Sequence, residues 1–160
     1  MDRRRSASAL EPQAAEVAAG LERLVALIRW LSPPGLSLTA AATLATLERS
    51  GPRRLTALAA AEGVTQPAMT QLIARLADSG LVERLADPAD GRVVYVQLTA
   101  EGRELVASRR TTRAERLAGL LATLSQADQR SLAEALPAMN ALASAYRNEQ
   151  AYSTGKVAGR

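Results

Sequence analysis

At 160 residues the chain has the length of one ordinary domain, long enough to bury roughly two-thirds of its surface. It contains no cysteine and no histidine, which excludes disulfides, thiol redox switches, Cys/His metal centres and all His- or Cys-based catalysis. Nineteen Arg and one Lys give a net charge of +4, favourable for a polyanion, but the excess is spread: residues 53–110 hold eight Arg against seven Asp and Glu.

The apolar 48% is mostly Ala, Leu and Val, with no Phe, three Tyr and one Trp, so helix is the default conformation. Few aromatics mean little core area per residue, and a helical chain of this kind often gains burial by pairing with a copy of itself. No apolar run reaches the length of a membrane span. No apolar core follows Arg3-Arg4-Arg5 as a signal peptide would require, so a soluble cytoplasmic protein is expected.

Residues 1–10 lack periodicity and are expected to form a mobile basic arm. From Pro12 to Leu31, Val17, Leu21, Leu24, Ile28 and Leu31 recur in steps of four and three, one helical stripe with coiled-coil spacing. That stripe fits a dimerisation helix over 11–35 or an ordinary intramolecular core. Ser32-Pro33-Pro34-Gly35 stops the helix, and Thr39 is the expected cap of a short second one ending near Arg49.

Thr56 is the expected cap of a helix through Glu62, closed by a tight turn at Gly63. Thr65 caps the next, with Pro67 in its first turn, where a missing N–H costs nothing. On that helix Ala68, Met69, Leu72, Ile73 and Leu76 share a face, Pro67, Thr70, Gln71 and Ala74 lie opposite, and Gln66 and Arg75 flank them. Two short helices joined by a Gly turn, the second with a small polar outer face, describe a helix-turn-helix.

After Gly80 the period becomes that of strands, at Val82–Ala86 and Val93–Leu98, around the turn-rich loop Asp87-Pro88-Ala89-Asp90-Gly91-Arg92. A hairpin directly after a helix-turn-helix is a wing. Thr99 caps a long helix through Leu121, whose Arg109, Arg110, Arg113 and Arg116, with Glu115 among them, form a solvated face or a salt-bridge set. Ser125-Gln126-Ala127-Asp128 caps a last helix with Leu132, Leu136, Met139 and Leu142 on one stripe and Pro137 as a kink site. Residues 150–160 are expected to be a flexible tail.

Leu55 to Leu105 resembles the MarR family of transcription regulators. The likeness rests on TQPAMTQLIARL for a recognition helix, on GLVER leading into the wing, and on DPADGR followed by VQLTAEG, in the family's order. It implies a dimer whose N- and C-terminal helices interlock, two winged lobes facing DNA, and in many members a small anionic or aromatic ligand that weakens DNA binding. This chain departs from the family at Asp90-Gly91-Arg92, where many relatives have two adjacent Arg. It departs also at Gln71, where Arg is frequent, and at Ala74, where an Asp often pairs with the wing arginine.

A helix in the major groove reads base edges with residues near its N-terminus, so Thr65, Gln66, Pro67, Thr70 and Gln71 are candidate DNA contacts, with Arg75 placed for a phosphate. Arg92 at the wing tip is a candidate minor-groove contact, supported by Asp90 and Gly91. Arg84 pairs with Asp87 or Asp90, or meets a phosphate. Trp30 lines a ligand pocket or serves core or interface packing.

The expected fold is α+β, mainly helical: a winged helix-turn-helix over 36–98, a dimerisation helix over 11–35, and a long helix and a C-terminal dimerisation helix over 99–149. The expected function is a homodimeric, ligand-responsive repressor on a pseudo-palindromic site in double-stranded DNA, with no cofactor or metal and a small organic anion as effector. The alternative is a dimeric helical module whose winged helix binds protein. An enzyme is not expected, because no nucleophile–base pair can be built from His or Cys and no carboxylate pair has metal spacing.

Overall fold

The computed structural model describes the backbone of residues 2–86 and 94–157 and the side chains of residues 11–86, 94–146 and 149. The chain divides into two compact units, residues 1–34 and 35–160.

The first unit is one helix, α1 (Asp2–Leu31). Helical backbone therefore replaces the arm expected over 2–10. Apolar periodicity marks a face to be buried, whereas the Arg, Ala and Leu of this stretch favour helix without offering such a face. Val17, Leu21, Leu24 and Ile28 are exposed, and Leu31 is buried. Ser32 ends the helix by donating its hydroxyl to the Ile28 carbonyl at 2.8 Å, and Pro33 and Pro34 have no N–H to continue it.

The second unit contains α2 (Leu38–Ser50), β1 (Arg53–Arg54), α3 (Leu55–Ala61), α4 (Gln66–Asp78), β2 (Val82–Ala86), β3 (Val94–Leu98), α5 (Ala100–Leu121) and α6 (Gln126–Val157). The strands form one antiparallel sheet in the order β1-β3-β2. This is the α+β, mainly helical winged helix-turn-helix fold expected from the sequence.

Two caps differ from expectation. Ser37, two residues before Thr39, caps α2 by accepting the Ala40 N–H at 3.1 Å, while Thr39 lies in the first turn. Helix α3 begins at Leu55 with no side-chain cap, because Arg53 and Arg54 pair with Val96 and Tyr95 and the ladder holds the backbone extended up to the helix. A two-residue strand carries no periodicity, so β1 was not foreseen.

One core joins these elements: Leu44 and Leu47 of α2, Leu58 of α3, Met69, Leu72, Ile73 and Leu76 of α4, Val82 and Val96 of the hairpin, and Val106 of α5. The turn between α3 and α4 closes with Val64 N–H donating to Ala59 O at 3.0 Å and Gly63 N–H to Ala60 O at 3.2 Å. This Schellman arrangement needs the left-handed residue that Gly63 supplies at φ 63°.

A second junction locks the hairpin to α5. The Thr99 hydroxyl accepts the Gly102 N–H at 3.0 Å and donates to Gly80 O at 2.6 Å, while Thr99 N–H donates to Leu81 O at 3.2 Å. The approach is so close that a Cβ on Gly102 would lie 2.0 Å from Leu81 O. Helix α6 begins at the foreseen cap, Ser125 accepting the Asp128 N–H at 3.1 Å. It runs to Val157, through the stretch expected to be a tail, for the reason given for residues 2–10: helical backbone does not require a buried face. Helix α6 packs against α3, with the Tyr146 hydroxyl over the Gly63 turn.

Candidate nucleic-acid interface

Helix α4 owes its position to its apolar side. Met69, Leu72, Ile73 and Leu76 are buried between 0 and 7% exposure, which fixes the helix's rotation about its axis and so decides which residues face out. Ala68, expected on the buried face, is exposed: it stands in the first turn, at the margin of the stripe, where α4 leaves the core.

Thr65 caps α4, its hydroxyl accepting the Ala68 N–H at 3.4 Å, with Pro67 in the first turn. Gln66, Pro67, Thr70, Gln71 and Arg75 are all exposed on this helix, and Ala74 is half-buried. The Thr70 hydroxyl donates to Gln66 O at 2.9 Å, so its proton is committed to the backbone and what it offers outward is an acceptor and a methyl group. Gln71 offers an amide able to donate and accept at once, and Arg75, one turn further on, a charged fork.

In the hairpin, Arg84 is exposed on β2, where it pairs in register with Val96. Asp90, Gly91 and Arg92, and the Asp87 weighed as a partner for Arg84, lie outside the described residues. The structure thus gathers Thr65, Gln66, Pro67, Thr70, Gln71 and Arg75 on one helix and sets Arg84 on the adjoining hairpin. Trp30 is exposed on α1, in the other unit.

Sequence reasoning passed over Arg53 and Arg54. They are exposed at the edge of the sheet, Arg54 donating through Nε to the Tyr95 hydroxyl at 3.2 Å with its guanidinium 5.6 Å from the ring centroid. The adjacent Arg pair ahead of the first helix of the motif was the signal available. The arginines of α5 also divide in a way their spacing did not reveal. Arg110 pairs with Glu48 of α2 and is exposed, whereas Arg109 is buried, so this stretch is not simply a solvated face. Arg109 is buried because it follows Val106 by three residues on the core-facing side of α5.

Among the described residues no group of three or more His, Cys, Asp or Glu is placed to hold a metal, and no helix is long and apolar enough to cross a membrane.

A helix-turn-helix whose second helix is anchored by its apolar side, followed at once by an antiparallel hairpin, defines the winged helix-turn-helix class of DNA-binding proteins. The profile of the MarR family matches residues 36–94. An HTH-type transcriptional regulator of Mycobacterium tuberculosis is 39% identical over 130 residues, covering 81% of this chain and 91% of that one. Among solved structures, a mutant MarR of E. coli superposes with a TM-score of 0.64 at 24% identity, covering 74% and 95% of the two chains. BpsR of Bordetella bronchiseptica, whose DNA binding is regulated by 6-hydroxynicotinic acid, superposes with a TM-score of 0.59 at 25% identity, covering 79% and 91%. The protein belongs to the MarR family and is a transcriptional regulator, not an enzyme.

Proposed function

We propose that the protein acts in the cytoplasm as a homodimeric, ligand-responsive repressor on a pseudo-palindromic DNA site. The observation that carries this reading is the division of α4 into a fully buried apolar side and an exposed face of Gln66, Thr70, Gln71 and Arg75. In the major groove Gln71 donates to and accepts from adenine, Gln66, Thr65 and Thr70 contact base edges or sugar–phosphate, Pro67 packs at the helix start, and Arg75 meets a phosphate. Arg84 and Arg92, the latter with Asp90 and Gly91, supply the wing's contacts to backbone and minor groove.

Dimerisation is supported by two exposed apolar stripes, Val17 to Ile28 on α1 and Leu132 to Leu142 on α6, which a second copy covers. The regulation of BpsR by a small organic acid supports an organic anion as effector here, with Trp30 as a candidate wall of its site. Selection of bound fragments from the organism's genomic DNA, with sedimentation of the complexes, tests the reading. Enrichment of a pseudo-palindromic sequence bound by two chains is expected. Failure to enrich any sequence would give the protein-binding alternative precedence.

A further inference from the structure

Four residues, Gly51-Pro52-Arg53-Arg54, connect α2 to α3, and their backbone has little freedom. Gly51 ends α2 at φ 69°, its N–H donating to Leu47 O at 2.9 Å, a conformation that costs a glycine nothing. The Pro52 ring fixes its own φ, and Arg53 and Arg54 are paired with Val96 and Tyr95 in the ladder. Two adjacent exposed arginines are thereby held at the outer edge of the sheet.

The register sets them on opposite faces, since directly opposed residues share a face and neighbours along a strand alternate. Arg53, Val96 and Arg84 form one row. Val96 is fully buried, so Arg53 and Arg84 stand at the two ends of a core-side row, their backbones roughly 10 Å apart across two strand spacings. Arg54, Tyr95 and Leu85 form the next row, on the outward face. There the Tyr95 hydroxyl accepts the Arg54 Nε–H at 3.2 Å, and the ring centroid lies 5.6 Å from the guanidinium. Glu83, on the same face, accepts the Gln97 amide at 2.6 Å.

Charge at a sheet edge often serves only to discourage strand pairing, but a two-residue edge offers almost no template, and that task needs no fixed geometry. Arg54 is held in place by Tyr95 before any partner arrives, which reduces the side-chain freedom lost on contact. Its place in the fold names the partner. Arg54 is the N-cap residue of α3, the first helix of the motif, and that helix crosses the DNA backbone when the second enters the groove.

We infer that Arg53 and Arg54 form, on each chain, an edge that grips phosphates of the DNA backbone beside the groove taken by α4, with Tyr95 positioning Arg54. The inference rests on the DNA binding proposed above and adds an anchor separate from Arg75, Arg84 and Arg92. A planar guanidinium matches two phosphate oxygens at once, which an ammonium does not, so the edge depends on geometry as well as on charge.

Titrations of the full-length protein over a series of salt concentrations test this. Two labelled duplexes are needed, one of unselected sequence and one carrying the strongest site from the genomic selection. Arg53→Gln/Arg54→Gln should weaken binding to both by a similar factor, roughly tenfold or more, since one charge-assisted hydrogen bond is worth about that much. The slope of log affinity against log salt should fall by about 0.9 for each phosphate no longer neutralised. Arg54→Lys should keep the parent's slope and bind several-fold more weakly, because it retains the charge and loses the fork. Tyr95→Phe retains the ring and every charge, and should also weaken binding several-fold at unchanged slope. Arg130→Gln, a charge loss on α6, should match the parent. An unchanged slope in the double variant overturns the phosphate edge, and a loss confined to the selected site makes the pair base-reading and overturns it equally. Tyr95→Phe binding as tightly as the parent overturns the positioning role. The parent's own enrichment of a site tests the proposed function, so a chain that enriches an operator while the double variant keeps the parent's slope loses this inference alone.

Discussion

Helices α4 and α6 carry similar apolar stripes and meet opposite fates. On α4, Met69, Leu72, Ile73 and Leu76 are covered by other elements of the same chain, while on α6 Leu132, Leu136, Met139 and Leu142 remain 45–55% exposed. Both patterns obey the same 3.6-residue period. Periodicity therefore announces an apolar face without saying whether the same chain covers it. Cover from within one chain gives stability independent of concentration, and cover from a second copy gives stability that rises with concentration.

The covered face of α4 is the most sensitive to substitution. Ile73 is fully buried, so Ile73→Ala leaves a cavity and should lower unfolding free energy by about 2–5 kcal/mol. Thermal melts over a range of protein concentrations should show the same loss throughout. Leu136→Glu probes the open side. Each chain should lose about 1.5–3 kcal/mol of apolar burial, read as monomers in sedimentation and as a loss of concentration dependence in the melt. A Leu136→Glu chain that still sediments as a dimer with unchanged affinity would put the dimer interface elsewhere.

The sequence made the winged lobe legible wherever local chemistry and pattern agreed. Thr65, Thr99 and Ser125 cap the helices they were expected to cap, because in each case the hydroxyl stands directly ahead of a helix whose first N–H groups lack partners. At Thr39 and Thr56 an equally suitable residue was not the cap, since Ser37 preceded one and the β1–β3 ladder set the start of the other. Of the candidate site, the exposure of Gln66, Pro67, Thr70, Gln71 and Arg75 on α4 was readable from the buried stripe opposite them. The placing of Arg53 and Arg54 at the sheet edge and the burial of Arg109 were not, because they depend on which elements meet across the fold, and single-sequence spacing is blind to that.

Gln71→Ala acts on the exposed face of α4, away from the core. The substitution should cost about 1–3 kcal/mol at one adenine position in each half-site, with little change at other positions and no change in the melt. Binding-site selection with the variant checks this, and an unmoved base preference would remove Gln71 from the reading residues.

The smallest effect is expected at Arg75, where reading and anchoring separate on the same helix. Arg75 is exposed in the last turn of α4, beyond the residues that enter a groove first. A guanidinium there is expected to meet the phosphate backbone, whose charge is the same at every base pair, so that the interaction would add affinity without choosing sequence. Arg75→Gln keeps most of the length and the polarity of the side chain and removes the charge. It should weaken binding nearly uniformly across related operators and lower the slope of log affinity against log salt by about 0.9 for each phosphate it ceases to neutralise. Stability should move by no more than about half a kcal/mol, because the residue lies outside the core that positions α4. Titrations over a series of salt concentrations, on a pair of operators of different sequence, decide the matter. A salt slope equal to that of the parent would mean that Arg75 touches no phosphate, and a loss confined to one operator would make it a base-reading residue like Gln71.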